Sequence, residues 1–170
     1  MSSYIKLIIF IVVLILVSAA IVFIDSSTDD VNKSMQSISE GIVNGDNDYN
    51  EAVDLVNNKY FYRGMEKAES AGDSFNSSLD KLREIRDNSP DINDVHREYI
   101  DTIIEEVELK LQAVSLLEEA IECFEIQSNY TGTEYAYQAN DAMYQAVEYQ
   151  HIRDSIVQNN SDLFKNEFTI

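Results

Sequence analysis

The chain has 170 residues, with 31 Asp and Glu against 12 Lys and Arg, for a net charge of −19. Such a surface repels nucleic acid and anionic headgroups, which sets nucleic acid aside as a partner. Apolar residues make up 45% of the chain and recur too regularly for an acidic disordered tail. Five Gly and one Pro fall well below ordinary usage, which predicts long helices.

The first element is an apolar run over residues 5–24, from Ile5 to Ile24, broken only by Lys6 and the small patch Ser18, Ala19, Ala20. Its length matches a bilayer core of roughly 30 Å, and no polar face interrupts residues 7–17. The reading is an uncleaved transmembrane helix. The competing reading is a secretory signal cut after Ala20, but residues 21–24 would then leave an apolar new terminus. Lys6 precedes the run, whereas Asp25, Asp29 and Asp30 follow it. Because positive residues stay cytoplasmic, the amino terminus is expected inside and residues 25–170 outside the cell membrane.

All 31 acids lie after residue 24, against 11 bases there, so the outer part carries about −20. Val31, Met35, Ile38 and Ile42 mark one apolar helical face, predicting a helix over 28–43. The cluster Asn44, Gly45, Asp46, Asn47, Asp48 predicts a turn. A second helix is expected over 49–87, its stripe running through Tyr49, Val53, Val56, Tyr60, Gly64, Ala68, Ala71, Phe75, Leu79 and Leu82, with a bend near Gly64. Asn88, Ser89, Pro90 and Asp91 end it.

Asp91 or Asn93 is expected to cap a third helix reaching about Gln127. Its stripe of Ile100, Ile103, Val107, Val114, Leu117, Ile121 and Phe124 follows a coiled-coil-like 3-4 spacing interrupted at Lys110, with Leu111 beside it. An acidic row from Glu98 to Glu122 runs on the opposite side as a solvated face. Thr131 and Glu134 fit a capping box ahead of a fourth helix over 133–158. The tail, with Leu163, Phe164, Phe168 and Ile170, is either a strap on the bundle or a frayed end.

The fold class is therefore all-α: an N-terminal transmembrane helix followed by an antiparallel bundle of three to four long helices. The division is 1–25 for the anchor, 26–160 for the acidic extracytoplasmic bundle and 161–170 for the tail. At 1.5 Å per residue the second helix would be about 60 Å long against about 25 Å for the first. That mismatch calls for a hinge at Ser26, Ser27 and Thr28, or a bend in the second helix.

Chemistry is sparse. Two His, one Cys and no Gly-rich loop offer no nucleophile-base pairing or nucleotide site, so the expectation is a non-catalytic protein without a cofactor. Glu148 and His151 have the Glu-x-x-His spacing of di-iron bundles, but the other histidine, His96, has Asn93 three residues before it, and no metal is expected. Cys123 reads as a small core residue. Sequons at Asn32, Asn76, Asn129 and Asn159 are candidates for glycosylation if the compartment supports it.

The feature that points outward is tyrosine. Tyr130, Tyr135, Tyr137, Tyr144 and Tyr149 crowd the last turn and helix, with Tyr137 and Tyr144 most exposed by helical phase. Tyr is enriched at interfaces, so these five form the expected partner surface. The functional expectation is a single-pass, membrane-anchored binding or structural module, contacting the lipid bilayer through its first helix and a protein partner, or another copy, through the bundle. The alternatives are a sensor-like ligand-binding helical domain, or a secreted soluble helical protein if the first segment is cleaved.

Overall fold

A computed structural model of the chain describes residues 23–24, 29–89 and 92–165. Four long helices carry the fold: α1 (Asp29–Asn57), α2 (Phe61–Asn88), α3 (Asp94–Glu125) and α4 (Asn129–Asn159). A short 3-10 turn, Ser161–Leu163, follows, and two two-residue strands, β1 (Phe23–Ile24) and β2 (Phe164–Lys165), pair antiparallel. No described helix is long and apolar enough to cross a membrane; Ile5 and the rest of the expected span up to residue 22 lie outside the described residues, as do the hinge residues 26–28. Ile24 is described, and it is in β1, so the last two residues of the apolar run are extended rather than helical.

The first two helices differ from the expected boundaries. No turn forms at 44–48; α1 runs straight through it and ends at Asn57. Tertiary partners explain why this polar cluster stays helical. Gly45 sits where α1 closes on the Phe75 ring of α2, leaving no room for a Cβ. Asp46 pairs with Lys110, and Asp48 accepts from Lys67 and Ser70. The reversal comes instead at Asn58, Lys59 and Tyr60, in the middle of what reads as one continuous stripe. Tyr49, Val53 and Val56 are buried before it and Gly64, Ala68, Ala71 and Phe75 after it. Helices of 29, 28, 32 and 31 residues are about 42–48 Å long. Length mismatch therefore no longer demands a hinge.

Both interhelix turns that reverse the chain within a hairpin are the same device. Tyr60 N–H donates to Leu55 O at 2.8 Å and Lys59 N–H to Val56 O at 2.9 Å; Ser128 N–H donates to Cys123 O at 2.7 Å and Gln127 N–H to Phe124 O at 3.1 Å. These are two Schellman motifs, with Lys59 (φ 64°) and Gln127 (φ 61°) in the left-handed position usually taken by Gly. The expected capping box also fails: α4 begins at Asn129, with Thr131 already inside it, and the Thr131 hydroxyl accepts from Ser128 instead. Asn93 does cap α3, its side chain accepting from His96 N–H at 2.8 Å; the alternative cap, Asp91, lies outside the described residues.

The two motifs are 68 residues apart, and the correspondence extends along both hairpins. At that offset eight residues within 51–73 are identical: Glu51/Glu119, Ala52/Ala120, Tyr62/Tyr130, Gly64/Gly132, Glu66/Glu134, Ala68/Ala136, Ala71/Ala139 and Asp73/Asp141. The packing repeats too. A Cβ on Gly64 would strike Val56 and approach the Ala52 carbonyl, and one on Gly132 would strike Phe124 and approach the Ala120 carbonyl. The chain is thus a tandem of two helical hairpins, α1–α2 and α3–α4.

The hairpins stack in chain order. α1 lies along α2, α2 along α3 and α3 along α4, while α1 and α4 barely meet. This layout resembles one step of a helical solenoid more than a closed four-helix ring. α3 is the central helix, and Tyr99, Ile100, Ile103, Val107, Ala113, Val114, Leu117, Ala120 and Ile121 are all buried on it. The first part of the tail, residues 161–165, is a strap: Phe164 is buried with its ring 5.2 Å from His96 and 5.1 Å from Tyr99, while Phe168 and Ile170 lie outside the described residues. His96 Nε2 donates to the Leu163 carbonyl at 2.8 Å, which fixes the ring's tautomer because a carbonyl only accepts.

Candidate functional site

The interior of the stack is not wholly apolar. Lys110, which interrupts the apolar stripe of α3, is 1% exposed and is held by both oxygens of Asp46 at 2.8 Å. It also lies 3.1 Å from Glu106, whose other oxygen accepts from Arg153 of α4 at 3.0 Å. Two carboxylates and two cations therefore form one buried, neutral chain joining α1, α3 and α4. Burial pushes the Asp46 carboxyl above its ordinary range, against the pull of Lys110. Lys110 Nζ also stands 5.7 Å over the Phe75 ring.

The repeat shows what this layer replaces. At the 68-residue offset Glu106, Lys110 and Arg153 stand where the first hairpin has Ile38, Ile42 and Ile85, all buried. Sequence reasoning passed over Lys110 as a gap in the stripe. The available signal was Glu106 four residues before it, an i,i+4 pair on the wrong face for a solvated one. Sealed from solvent, the four groups can fix helix register but cannot meet a substrate.

The expected tyrosine surface divides. Tyr130, Tyr137 and Tyr144, spaced by seven, lie on one outer face of α4 and are exposed by 87%, 59% and 45%. Tyr135 packs against the core, and Tyr149 is half-buried. A row of exposed acids, Glu134, Asp141 and Glu148, follows the tyrosines about 40–60° round the helix. Beside the stripe, a groove of about 480 Å³ between α3 and α4 is lined by Gln112, Leu116, Tyr137, Gln138, Asp141 and Gln145.

The stripe continues onto the end of the stack that holds both Schellman turns. There Tyr60, Tyr62 and Ile126 are also exposed, by 57%, 73% and 77%. The Phe61 and Phe124 rings stack at 5.9 Å and tie the two turns together. This end is opposite to β1, where the chain enters the bundle, because α1 starts beside β1 and runs its full length to Asn57, just before the first turn.

The remaining candidates are dispersed. Glu98, Glu105, Glu108, Glu119 and Glu122 are exposed along α3. Glu148 and His151 are exposed as well, and no three metal-ligating side chains gather among the described residues. Cys123 is half-buried rather than in the core proper. Of the sequon asparagines, Asn76, Asn129 and Asn159 are exposed; the Asn32 side chain lies outside the described ones. In the groove between α2 and α3, burial together with Glu69, Glu122 and Glu119 pushes the Glu118 carboxyl up. No family model, curated protein or solved structure matches the chain.

Proposed function

We propose that the protein is a single-pass membrane protein that presents its acidic helical hairpins outside the cell membrane as a non-catalytic binding or structural module. The observation that carries this reading is the row of three exposed tyrosines on α4, mounted on a rigid helix backed by buried Ala136, Ala139, Met143 and Ala146. Tyr presents a large amphipathic ring at small entropic cost, which suits a contact surface. With Phe23 and Ile24 drawn into β1, the span would be residues 5–22, 18 residues and about 27 Å. That length is at the short end for a bilayer core.

The groove beside Tyr137 supports a second reading, a sensor-like domain that binds a small polar ligand among Gln112, Gln138, Asp141 and Gln145. Alkaline carbonate extraction of membranes, with mass measurement of the mature amino terminus, tests the anchor. Protein retained in the pellet with its N-terminal segment intact supports it, and soluble protein beginning at Ile21 overturns it. Thermal shifts of the full chain in detergent against a panel of polar small molecules test the second reading.

A further inference from the structure

We infer that copies of this chain stack head to tail, with α1 of one copy on α4 of the next, by the same step that places α3 on α2 within the chain. The inference rests on reading the α4 face as a contact surface and names the partner as a second copy. On α2, the row facing α3 contains Glu69, Gly72, Asn76, Leu79 and Arg83. Gly72 stands opposite Val114, its Cβ position 3.5 Å from that side chain; Leu79 is buried; and Arg83 bonds Glu108 at 2.7 Å. Sixty-eight residues on, the same row of α4 reads Tyr137, Asn140, Tyr144, Val147 and His151. The two conspicuous tyrosines therefore occupy the face on which, one repeat earlier, a helix is stacked.

The complementary face is on α1. On α3, Glu108, Leu111, Ser115 and Glu118 face α2; their equivalents are Glu40, Val43, Asn47 and Asn50. Glu40 and Asn47 are exposed, and Val43 is 37% exposed, one of the few large apolar side chains left in solvent. Repeating the step sets Val43 against the Tyr144 region, as Leu111 sits in the α2–α3 groove, and puts Glu40 opposite His151, as Glu108 meets Arg83.

The contact joins two different faces, so it propagates rather than closing into a dimer. α1 and α3 run in the same direction, so each step leaves every amino-terminal end on one side. An array anchored along a single membrane satisfies that constraint. Two half-exposed tyrosines contribute only a few hundred Å², which puts the interface in the weak class below about 1,200 Å². Each copy also carries −19, so salt that screens this charge strengthens the contact.

Sedimentation of the full chain in mild detergent, at concentrations up to about 0.5 mM and at low and high salt, tests the inference with two variants. Wild type is expected to grow beyond dimer with concentration, and further with salt. Tyr137→Ser with Tyr144→Ser spoils only the α4 face, and Val43→Glu spoils only the α1 face. All three positions are exposed, so both variants fold. Each alone should stay monomeric, whereas their equimolar mixture should form a dimer and stop there. A monomeric wild type at all concentrations and salts overturns the inference, as do variants that assemble like wild type or a mixture that stays monomeric. Release of the protein by carbonate would remove the anchor and leave this result standing; a monomeric chain retained in membranes would do the reverse.

Discussion

Replacing Lys110 by Met removes one charge from the buried chain of four and leaves Asp46 and Glu106 sharing Arg153. Met matches the stem of Lys in length, so packing changes little and the loss is electrostatic. Lys110 is 1% exposed and Asp46 5% exposed, so water cannot compensate. Breaking a buried pair by removing one partner costs about 3–5 kcal/mol. For a chain of this size that lowers the thermal midpoint by roughly 6–20 °C at about 2–4 °C per kcal/mol.

The first hairpin supplies the counter-experiment. Glu106→Ile, Lys110→Ile and Arg153→Ile together copy Ile38, Ile42 and Ile85 into the second hairpin, and Asp46→Ala removes the carboxylate left behind. Replacing an entire buried ionic group by well-packed aliphatics is often neutral or stabilising by about 1–4 kcal/mol. The fourfold variant should therefore be at least as stable as wild type, although it contains the site of the damaging single change. Urea unfolding followed by circular dichroism at neutral pH measures both. A loss under about 1 kcal/mol for Lys110→Met, or a fourfold variant less stable than the single one, refutes the reasoning.

Three further outcomes are expected. Gly132→Ala puts a Cβ 2.7–2.8 Å from the Phe124 ring and 3.1 Å from the Ala120 carbonyl; overpacking of about 1–3 kcal/mol outweighs the roughly 0.5–1 kcal/mol gained by helix propensity, so the urea midpoint should fall, and a rise would contradict the close approach. Two acids of α1, Asp46 and Asp48, pull oppositely with pH: burial alone would raise Asp48, but hydrogen bonds from Lys67 and Ser70 with the Lys67 charge hold it below its usual 3.8, so its stabilising share is present above 3.8 and lost as pH falls through the lower folded value. Asp46, held above 3.8 by burial, takes up its proton more readily folded than unfolded, so its share rises as pH falls toward 3.8; Asp48→Asn should flatten the acid-side loss and Asp46→Asn should steepen it, as read by urea midpoints across pH 2–6. Phe164→Ala should release the strap, speeding amide exchange at Phe164 and Ile24, while the bundle loses less than the roughly 3–5 kcal/mol typical of a core Phe; a full loss would make the strap part of the cooperative core.

Helix content, the cap at Asn93, the buried stripe of α3 and the exposure of Tyr137 and Tyr144 were legible because each depends on local chemistry or on a period of 3.6 residues. The breaks at residues 88–91 and near Gln127 were legible for the same reason, but the first reversal was not. The polar cluster at residues 44–48 reads as a turn because Asn, Gly and Asp usually break helices, and Lys59 does not read as one because the left-handed cap position usually holds Gly. Asp46 and Asp48 remain helical only through Lys110, Lys67 and Ser70, partners 19 to 64 residues away.

The 68-residue repeat lies in the sequence itself, but its first copy is spread over a stripe that reads as one continuous helix, so the two hairpins do not read as equivalents. The sequence by itself determined that the body is helical, acidic and preceded by an apolar run. Tertiary structure alone decided that the first hairpin turns at residues 58–60 rather than at 44–48, that Lys110 is an interior charge rather than a gap, and that the α4 tyrosines lie where a neighbouring helix stacks. Those outcomes are set by contacts between residues distant in the chain, and no local pattern encodes which of several compatible partners a side chain will meet.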